Sequence, residues 1–438
     1  MVLQTVEQYM KAAEQGDANA QFNLGRCYHI GEGVEKDLKK AVYWLTKAAE
    51  QGNANAQTNL GVCYQKGLGV EIDWNKAMEL FLKAAGLGSA HAQLMCGISY
   101  TCGYGVEKDR KKAVEWLMKA AEQGDEWAQY NLGFFYDGNY GMKQDLIKAV
   151  EWYTNAAEQG NAWAQNNLGS HYKGGEGVEK NLTKAAYWYT KAAEKGAANA
   201  QYHLGTCYAF GQGVEQNMIK AVDWFTKAAE QGLAQGQFSL GVSYHFGMGV
   251  EKNLTKAAYW YTKAAQQGYA AAQNNLGWCY YMGEGVEKDE KQAANWLTKA
   301  AEQENANAQN NLGVCYQKGL GVKVNMKLAV EWYTKAAEQG NEDAQNNLGN
   351  LRRWYDMGEG VEKDQYKAAN NVTYLSTETL IQGNVGVYAK DDAIVNRPIV
   401  DVMEPNDLHI VYCPYCGTKL PENAIFCMKC GKKLEMME

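Results

Sequence analysis

A Leu-Gly pair that recurs every 36 residues constrains this 438-residue chain more than any other feature of its sequence. Its glycine stands at Gly25, Gly61, Gly133, Gly169, Gly205, Gly241, Gly277, Gly313 and Gly349, and Gly97 holds the same place after Cys96. One unit of this size cannot bury an apolar face alone, so ten units in register predict an array in which like elements stack side by side.

Each unit contains the pattern of two amphipathic helices. In the first helix of one unit, Ala20, Leu24 and Cys27 form a single apolar stripe, and alanines with a tryptophan form another in the second helix. We expect the repeat glycine to admit a neighbouring helix closely and the tryptophan to fill the remaining space. That tryptophan recurs at Trp44, Trp116, Trp152, Trp188, Trp224, Trp260, Trp296 and Trp332, with Leu80 as an exception.

Helix start and stop signals are equally regular. Every unit has Asp or Asn before its second helix, which is the N-cap preference: Asp37, Asp73, Asp109, Asp145, Asn181, Asn217, Asn253, Asp289, Asn325 and Asp364. The second helices end at a glycine typical of a left-handed C-terminal cap: Gly16, Gly52, Gly88, Gly124, Gly160, Gly196, Gly232, Gly268 and Gly340. Glu304 occupies this place in one unit, where we expect a cost of about 1 kcal/mol.

Composition narrows the class of protein. With 46% hydrophobic and 12% aromatic residues the chain is globular. Its net charge of −7 argues against a dedicated binder of nucleic acid or anionic membranes. No apolar run approaches the roughly 20 residues that span a bilayer, and the N-terminus lacks a secretion pattern. We therefore predict a cytoplasmic protein without a membrane span.

The pattern AQxxLGxxYxxGxGVxxDxxKAxxWxxKAAxxG resembles the Sel-one-like repeats, which are relatives of the tetratricopeptide repeats. The resemblance implies an all-α fold, a right-handed superhelical α/α solenoid of about ten 36-residue repeats. It also implies a non-catalytic scaffold or adaptor that binds a protein or peptide on its concave face. We assign residues 1–371 to this solenoid, 372–410 to a linker or short β segment, and 411–438 to a separate C-terminal module.

The C-terminal module carries four cysteines in the spacing C-x2-C-x10-C-x2-C, a strong zinc pattern: Cys413, Cys416, Cys427 and Cys430. Four thiolates fill all the corners of a tetrahedron, so we expect one structural Zn²⁺ ion and no open position for catalysis. The stretch CPxCGxxLPxxAxFCxxCG resembles the short zinc-ribbon family. Two disulfides are the alternative. Some zinc ribbons bind nucleic acid, but the nearly neutral charge of this one argues against that role.

Catalysis is the other alternative, because some cysteine-rich relatives of this repeat are described as penicillin-binding or β-lactamase-like. Those relatives pair two cysteines within each unit. Here the remaining seven cysteines are Cys27, Cys63, Cys96, Cys102, Cys207, Cys279 and Cys315, five of them in one first-helix core position, which favours a packing role. One S-x-x-K motif, Ser170 to Lys173, lacks the S-D-N and K-T-G motifs that accompany it in such enzymes. We predict no enzyme activity.

Asparagine recurs two positions before the repeat glycine: Asn23, Asn59, Asn131, Asn167, Asn275, Asn311 and Asn347. Its amide both donates and accepts, so this row either ties one repeat to the next or clamps the main chain of a bound peptide. Specificity would come from positions that vary, namely those one and four residues after the repeat glycine. The six histidines occupy different places in separate units, and we expect each of them at the surface.

Overall fold

The structure, a computed structural model, describes residues 2–141, 143–356, 411–412 and 419–420. Within these ranges it contains twenty α-helices, one 3-10 turn (Asn139–Gly141) and two short strands. The helices are α1 (Val2–Glu14), α2 (Ala18–Ile30), α3 (Leu38–Glu50), α4 (Ala54–Lys66), α5 (Trp74–Gly86), α6 (Ala90–Cys102), α7 (Arg110–Glu122), α8 (Glu126–Tyr136), α9 (Leu146–Gln159), α10 (Ala162–Gly174), α11 (Leu182–Glu194), α12 (Ala198–Phe210), α13 (Met218–Glu230), α14 (Ala234–Phe246), α15 (Leu254–Gln266), α16 (Ala270–Met282), α17 (Glu290–Glu302), α18 (Ala306–Lys318), α19 (Met326–Glu338) and α20 (Glu342–Asp356). Strands β1 (Val411–Tyr412) and β2 (Lys419–Leu420) pair antiparallel.

The helices belong to two compact units, one covering Met1–Trp188 and the other beginning at Tyr189. In both units the even-numbered helices are the first helices of the repeats, and the odd-numbered ones are the second helices. Within each unit, consecutive helices pack against each other, from α1 to α10 and from α12 to α20, and α1 packs on α2 as a lone second helix would. The helical repeat predicted from the sequence is therefore confirmed within each unit.

The predicted helix signals are also confirmed. Asp37 Oδ1 accepts the Lys40 backbone N–H over 2.9 Å, and the same side-chain cap recurs at every second helix from α3 to α19. The closing glycines all have positive φ, and Glu304 adopts the same left-handed conformation at φ 64° despite its side chain. Asp364 lies outside the described residues.

The repeat glycine packs against the residue that follows the tryptophan, which corrects the sequence prediction. A Cβ on Gly241 would lie 2.7 Å from the Tyr261 ring, and one on Gly205 would lie 2.7 Å from the Phe225 ring. Tyr261 and Phe225 are fully buried, whereas the tryptophans are only half-buried. The same place is taken by Leu45, Phe81, Leu117, Tyr153, Leu297 and Tyr333 opposite their own glycines.

In six of the inter-helix turns, the second glycine packs against the preceding repeat. A Cβ on Gly285 would overlap the backbone carbonyl of Leu254, the first residue of α15. In the same way, Gly69, Gly105 and Gly177 each face the carbonyl of the first residue of the second helix in the preceding repeat. The absence of a Cβ at this glycine therefore lets adjacent repeats pack closely, in addition to allowing the turn.

Candidate interaction surface

The asparagine row lies on the first helices, and its members differ in accessibility. Asn131, Asn275 and Asn347 are buried, with 1–4% of their surface exposed. The other four are half-buried: Asn23, Asn59, Asn167 and Asn311. Only the half-buried members present an amide that a partner could reach without rearrangement of the array.

Two of these asparagines bond to the preceding repeat. Asn311 Nδ2 donates to Asn274 Oδ1, and Asn347 Nδ2 donates to Asn310 Oδ1, both over 3.0 Å. Asn274 in turn donates to Asn275 Oδ1 over 3.2 Å. The acceptors stand three residues before the repeat glycine, a position that the sequence prediction missed. Its signal in the sequence was the Asn-Asn dipeptide, which occurs at 166–167, 274–275, 310–311 and 346–347.

Asn131 shows what happens where the acceptor is missing. The residue 37 positions before it is Leu94, which is fully buried and apolar. Asn131 Nδ2 donates instead to the Trp127 carbonyl within its own helix, over 2.7 Å. Its Oδ1 is buried without a hydrogen-bond partner among the residues that the structure describes. The inter-repeat amide bond thus depends on both positions being asparagine.

The variable positions are mostly buried, which contradicts the prediction that they line a recognition groove. One residue after the repeat glycine, the buried side chains are Ile98, Phe134, Thr206, Val242, Trp278 and Val314. Four residues after it, they are Gln65, Thr101, Asp137, Ala209, His245 and Gln317. Only the first repeat exposes its side chain in the former row, at Arg26. These positions vary because each fills a different space between helices.

Two histidines are buried, so the prediction that all six lie at the surface is wrong. His171 Nε2 lies 3.4 Å from Asp137 Oδ1, and each side chain is 1% exposed. His245 Nε2 lies 3.6 Å from Glu284 Oε2. Burial works against the charged imidazolium, but the Asp137 carboxylate outweighs it and raises the pKa of His171. At His245 burial prevails and lowers the pKa, although Glu284 opposes it.

Ser170, the candidate nucleophile of the enzyme alternative, lies half-buried on α10. Its Oγ donates to the Asn166 carbonyl over 3.3 Å, a bond within the helix. Lys173 lies one turn further along the same helix. Among the residues that the structure describes, no three His, Cys, Asp or Glu side chains form a group that could hold a metal ion.

The repeat signature matches the Sel1 repeat family in ten segments: 18–53, 54–89, 90–125, 128–161, 164–196, 198–233, 234–269, 270–305, 306–341 and 342–370. The chain belongs to the Sel1 repeat family. A Sel1 repeat protein from Oxalobacter formigenes is 36% identical, with 70% of this chain and 88% of that chain covered and a TM-score of 0.53. A protective antigen of uropathogenic Escherichia coli with an SLR fold is 33% identical, with 91% and 99% covered and a TM-score of 0.49.

No curated protein matches this Sel1 repeat chain. Residues 412–434 match a zinc-ribbon domain. Its cysteines Cys413, Cys416, Cys427 and Cys430 lie outside the described residues. The described part of this segment is the pairing of Tyr412 with Lys419 and of Val411 with Leu420. The first Cys-x2-Cys lies in the six residues that join these strands.

No helix among the described residues has both the length and the apolar character needed to cross a bilayer.

Proposed function

We propose that this Sel1 repeat chain is a non-catalytic scaffold that binds a protein or peptide partner along its first helices. The observation that carries the proposal is the recurrence of one hairpin in one packing arrangement, which distributes similar side chains along an edge. Catalysis needs unlike groups that converge on a reacting atom, whereas binding can be spread over such an edge.

We place the start of the binding surface on the first two repeats. There Asn19 and Asn55 are exposed, Asn23 and Asn59 stand one helical turn after them, and Arg26 is exposed. Amides at i and i+4 lie on one helix face, and both can bond the main chain of an extended peptide whatever its sequence. Asn131, Asn275 and Asn347 are too buried for this role and fit contacts within the array better.

Photocrosslinking tests this surface on the full chain. A photoreactive residue in place of Asn59 should form an adduct with a partner that mass spectrometry can identify. With that purified partner, the double variant Asn23→Ala/Asn59→Ala should weaken binding about tenfold or more, because two hydrogen bonds are lost. Asn75, an exposed asparagine on the second helix α5, gives the matched control Asn75→Ala, which should leave the affinity unchanged. Equal losses in both variants would place the partner elsewhere.

We also propose that the four C-terminal thiolates hold one structural Zn²⁺ ion. Soft sulfur donors in two Cys-x2-Cys pairs suit tetrahedral zinc, and a segment this short needs the metal to fold. The residues that would bind the ion are Cys413, Cys416, Cys427 and Cys430.

A reducing, cytoplasmic location suits the buried thiols of the array. Burial raises the pKa of Cys63 to about 11 and those of Cys279 and Cys315 to about 12. Thiols held this firmly in the protonated form are poor nucleophiles, and they serve here as small core side chains.

A further inference from the structure

The junction of the fourth and fifth repeats brings together two ionisable side chains, Asp137 and His171. His171 stands two residues after a repeat glycine. The other side chains at this position are neutral: Cys27, Cys63, Ser99, Phe135, Cys207, Ser243, Cys279 and Cys315. Asp137, at the end of α8, is the partner of His171, and both side chains are buried.

The geometry around His171 places an acceptor at each ring nitrogen. Nδ1 lies 2.8 Å from the Glu176 backbone carbonyl, which can only accept a hydrogen bond. Nε2 faces the Asp137 carboxylate at 3.4 Å. A neutral imidazole has one N–H and can satisfy one of these acceptors, whereas the imidazolium satisfies both.

The groups packed around Asp137 and His171 also favour a protonated His171 beside an ionised Asp137. Tyr153 of α9 donates its hydroxyl to Asp137 Oδ2 over 3.5 Å, and its ring centroid lies 5.5 Å from that of His171. Burial raises the pKa of Tyr153, so the phenol remains a donor. Tyr130 of α8 packs against Tyr153, and the Glu176 carboxylate adds a further attraction for the imidazolium.

The repeat frame does not require this ion pair. In the second unit, the equivalents of Asp137 and Tyr153 are Gln317 and Tyr333, and Tyr333 donates to Gln317 Oε1 over 2.7 Å. That contact holds the first and second helix of a repeat together without charge. The ion pair therefore adds a dependence on pH that the neutral Tyr333–Gln317 contact lacks.

The backbone beside Asp137 also departs from the regular repeat. Helix α8 has 11 residues where α2 has 13, and Asp137 takes the C-cap position that glycine holds elsewhere. Tyr140, in the following turn, has a φ of 58°, a conformation that non-glycine residues adopt at a cost. Helix α8 therefore ends two residues earlier in its repeat than α2 does, and the side chains of Asn139 and Gln144 donate to the carbonyls of Phe134 and Asp137.

We propose that Asp137 and His171 form a pH-dependent lock between the first helices α8 and α10. With the imidazolium present, the lock ties the short end of α8 to the fifth repeat. When His171 loses its proton to solvent, a buried carboxylate remains beside a neutral ring, and opening at the end of α8 lets water reach it. The lock closes at acidic and near-neutral pH and loosens as the pH rises.

The linkage between proton binding and folding gives the direction in which pH changes the stability of the lock. The pKa of His171 in the folded chain lies above its ordinary value of 6.5. A group of this kind stabilises the fold fully below pH 6.5, and its contribution disappears as the pH rises through the folded-state pKa.

Two measurements on the full chain test the lock. Ring-labelled histidine NMR from about pH 5 to about 9 should show one histidine, absent from the spectrum of a His171→Cys variant, that titrates above the ordinary imidazole pKa. Hydrogen exchange, corrected for the intrinsic rate, should show protection in residues 128–176 falling up to about tenfold per pH unit above that pKa. Residues 236–284, which surround His245, serve as the comparison and should show no such fall.

The double variant Asp137→Gln/His171→Cys installs the neutral residues of other repeats at both positions. It should fold, and protection in residues 128–176 should no longer depend on pH. Titration of His171 below its ordinary pKa in the natural chain would overturn the proposal, as would an unchanged pH dependence in the variant. If the variant misfolds, the titration of His171 in the natural chain decides the matter alone.

Discussion

Gln123, the C-cap residue of the second helix α7, donates its side-chain amide to Gln93 Oε1 of the first helix α6 over 2.8 Å. Gln93 Nε2 in turn donates to the carbonyl of Ala85 in the preceding second helix, over 3.3 Å. The same glutamine relay recurs in seven described repeats, and its acceptor side chains are buried. It links three consecutive helices through one hydrogen-bonded path.

Leu87 breaks this relay in the second repeat, where Gln57 Oε1 is buried without a hydrogen-bond partner in the described structure. Leu87→Gln should raise the free energy of unfolding by about 1 kcal/mol, because it supplies the missing donor and removes a 60% exposed leucine. Gln123→Leu should lower it by about 1–3 kcal/mol, since Gln93 Oε1 is left unpaired. Urea denaturation measures the unfolding free energy of both variants. The control Leu82→Gln, on helix α5, should change it little. An unchanged free energy of unfolding in Leu87→Gln would contradict this explanation.

Glu304 holds a left-handed conformation that glycine holds in the other repeats. Glu304→Gly should stabilise the chain by about 1 kcal/mol, because glycine has no Cβ to oppose a positive φ. Glu304→Ala keeps the Cβ and should give no comparable gain. Thermal or urea unfolding separates the two variants, and equal gains would show that the glutamate charge, not the backbone, is responsible.

Gly285→Ala should destabilise the second unit by about 3 kcal/mol or more, since the new Cβ overlaps the Leu254 carbonyl and neither backbone can move alone. Gly268→Ala is the matched control, because Gly268 also has positive φ but nothing lies within 4 Å of a Cβ placed there. It should cost only about 1–2 kcal/mol. Similar losses at both sites would rule out the inter-repeat clash.

Because of His245, the free energy of unfolding of the second unit should decrease as the pH falls below 6.5. Burial lowers its pKa below 6.5, so the unfolded chain takes up a proton that the folded chain resists. The stabilisation is present above pH 6.5 and is lost as the pH falls through the folded-state pKa. His245→Gln, which installs the residue found at Gln65 and Gln317, should flatten this dependence. Hydrogen exchange of residues 236–284 at several pH values measures it, and an unchanged acid-side loss in the variant would assign it to other groups.

Zinc should bind the full chain in a one-to-one ratio and depend on the C-terminal cysteines. Cys413→Ser/Cys416→Ser should abolish tight binding, because two of four thiolates are lost. Cys63→Ser, in the helical array, should leave the metal content unchanged. Metal analysis of the purified chain gives the ratio, and zinc retained after the double substitution would place the ion elsewhere.

The sequence predicted the features that depend on local backbone chemistry. The cap at Asp37, the left-handed closing residue at Glu304 and the boundaries of the hairpins all follow from neighbours in the chain. It assigned the wrong residue to the close contact with the repeat glycine. Trp44 and Leu45 both border the apolar stripe of their helix, and only the packing direction shows that Leu45 meets Gly25.

The candidate site was less predictable, because it depends on contacts between repeats. The partner of Asn311 is 37 residues away, and that of His171 is 34 residues away. Repeat numbering identifies equivalent positions, but it does not show which positions of adjacent repeats touch. The accessible part of the asparagine row, at Asn23 and Asn59, could be separated from the buried part only through the burial of each side chain.

The glutamine relay has an evolutionary consequence. Because each repeat meets its neighbours through the same few backbone and amide atoms, a duplicated block of 36 residues would find ready-made contacts on both sides. Such a gene can lengthen or shorten by recombination without inventing a new interface, and the near-copies at 180–196 and 252–268 are what that history would leave behind.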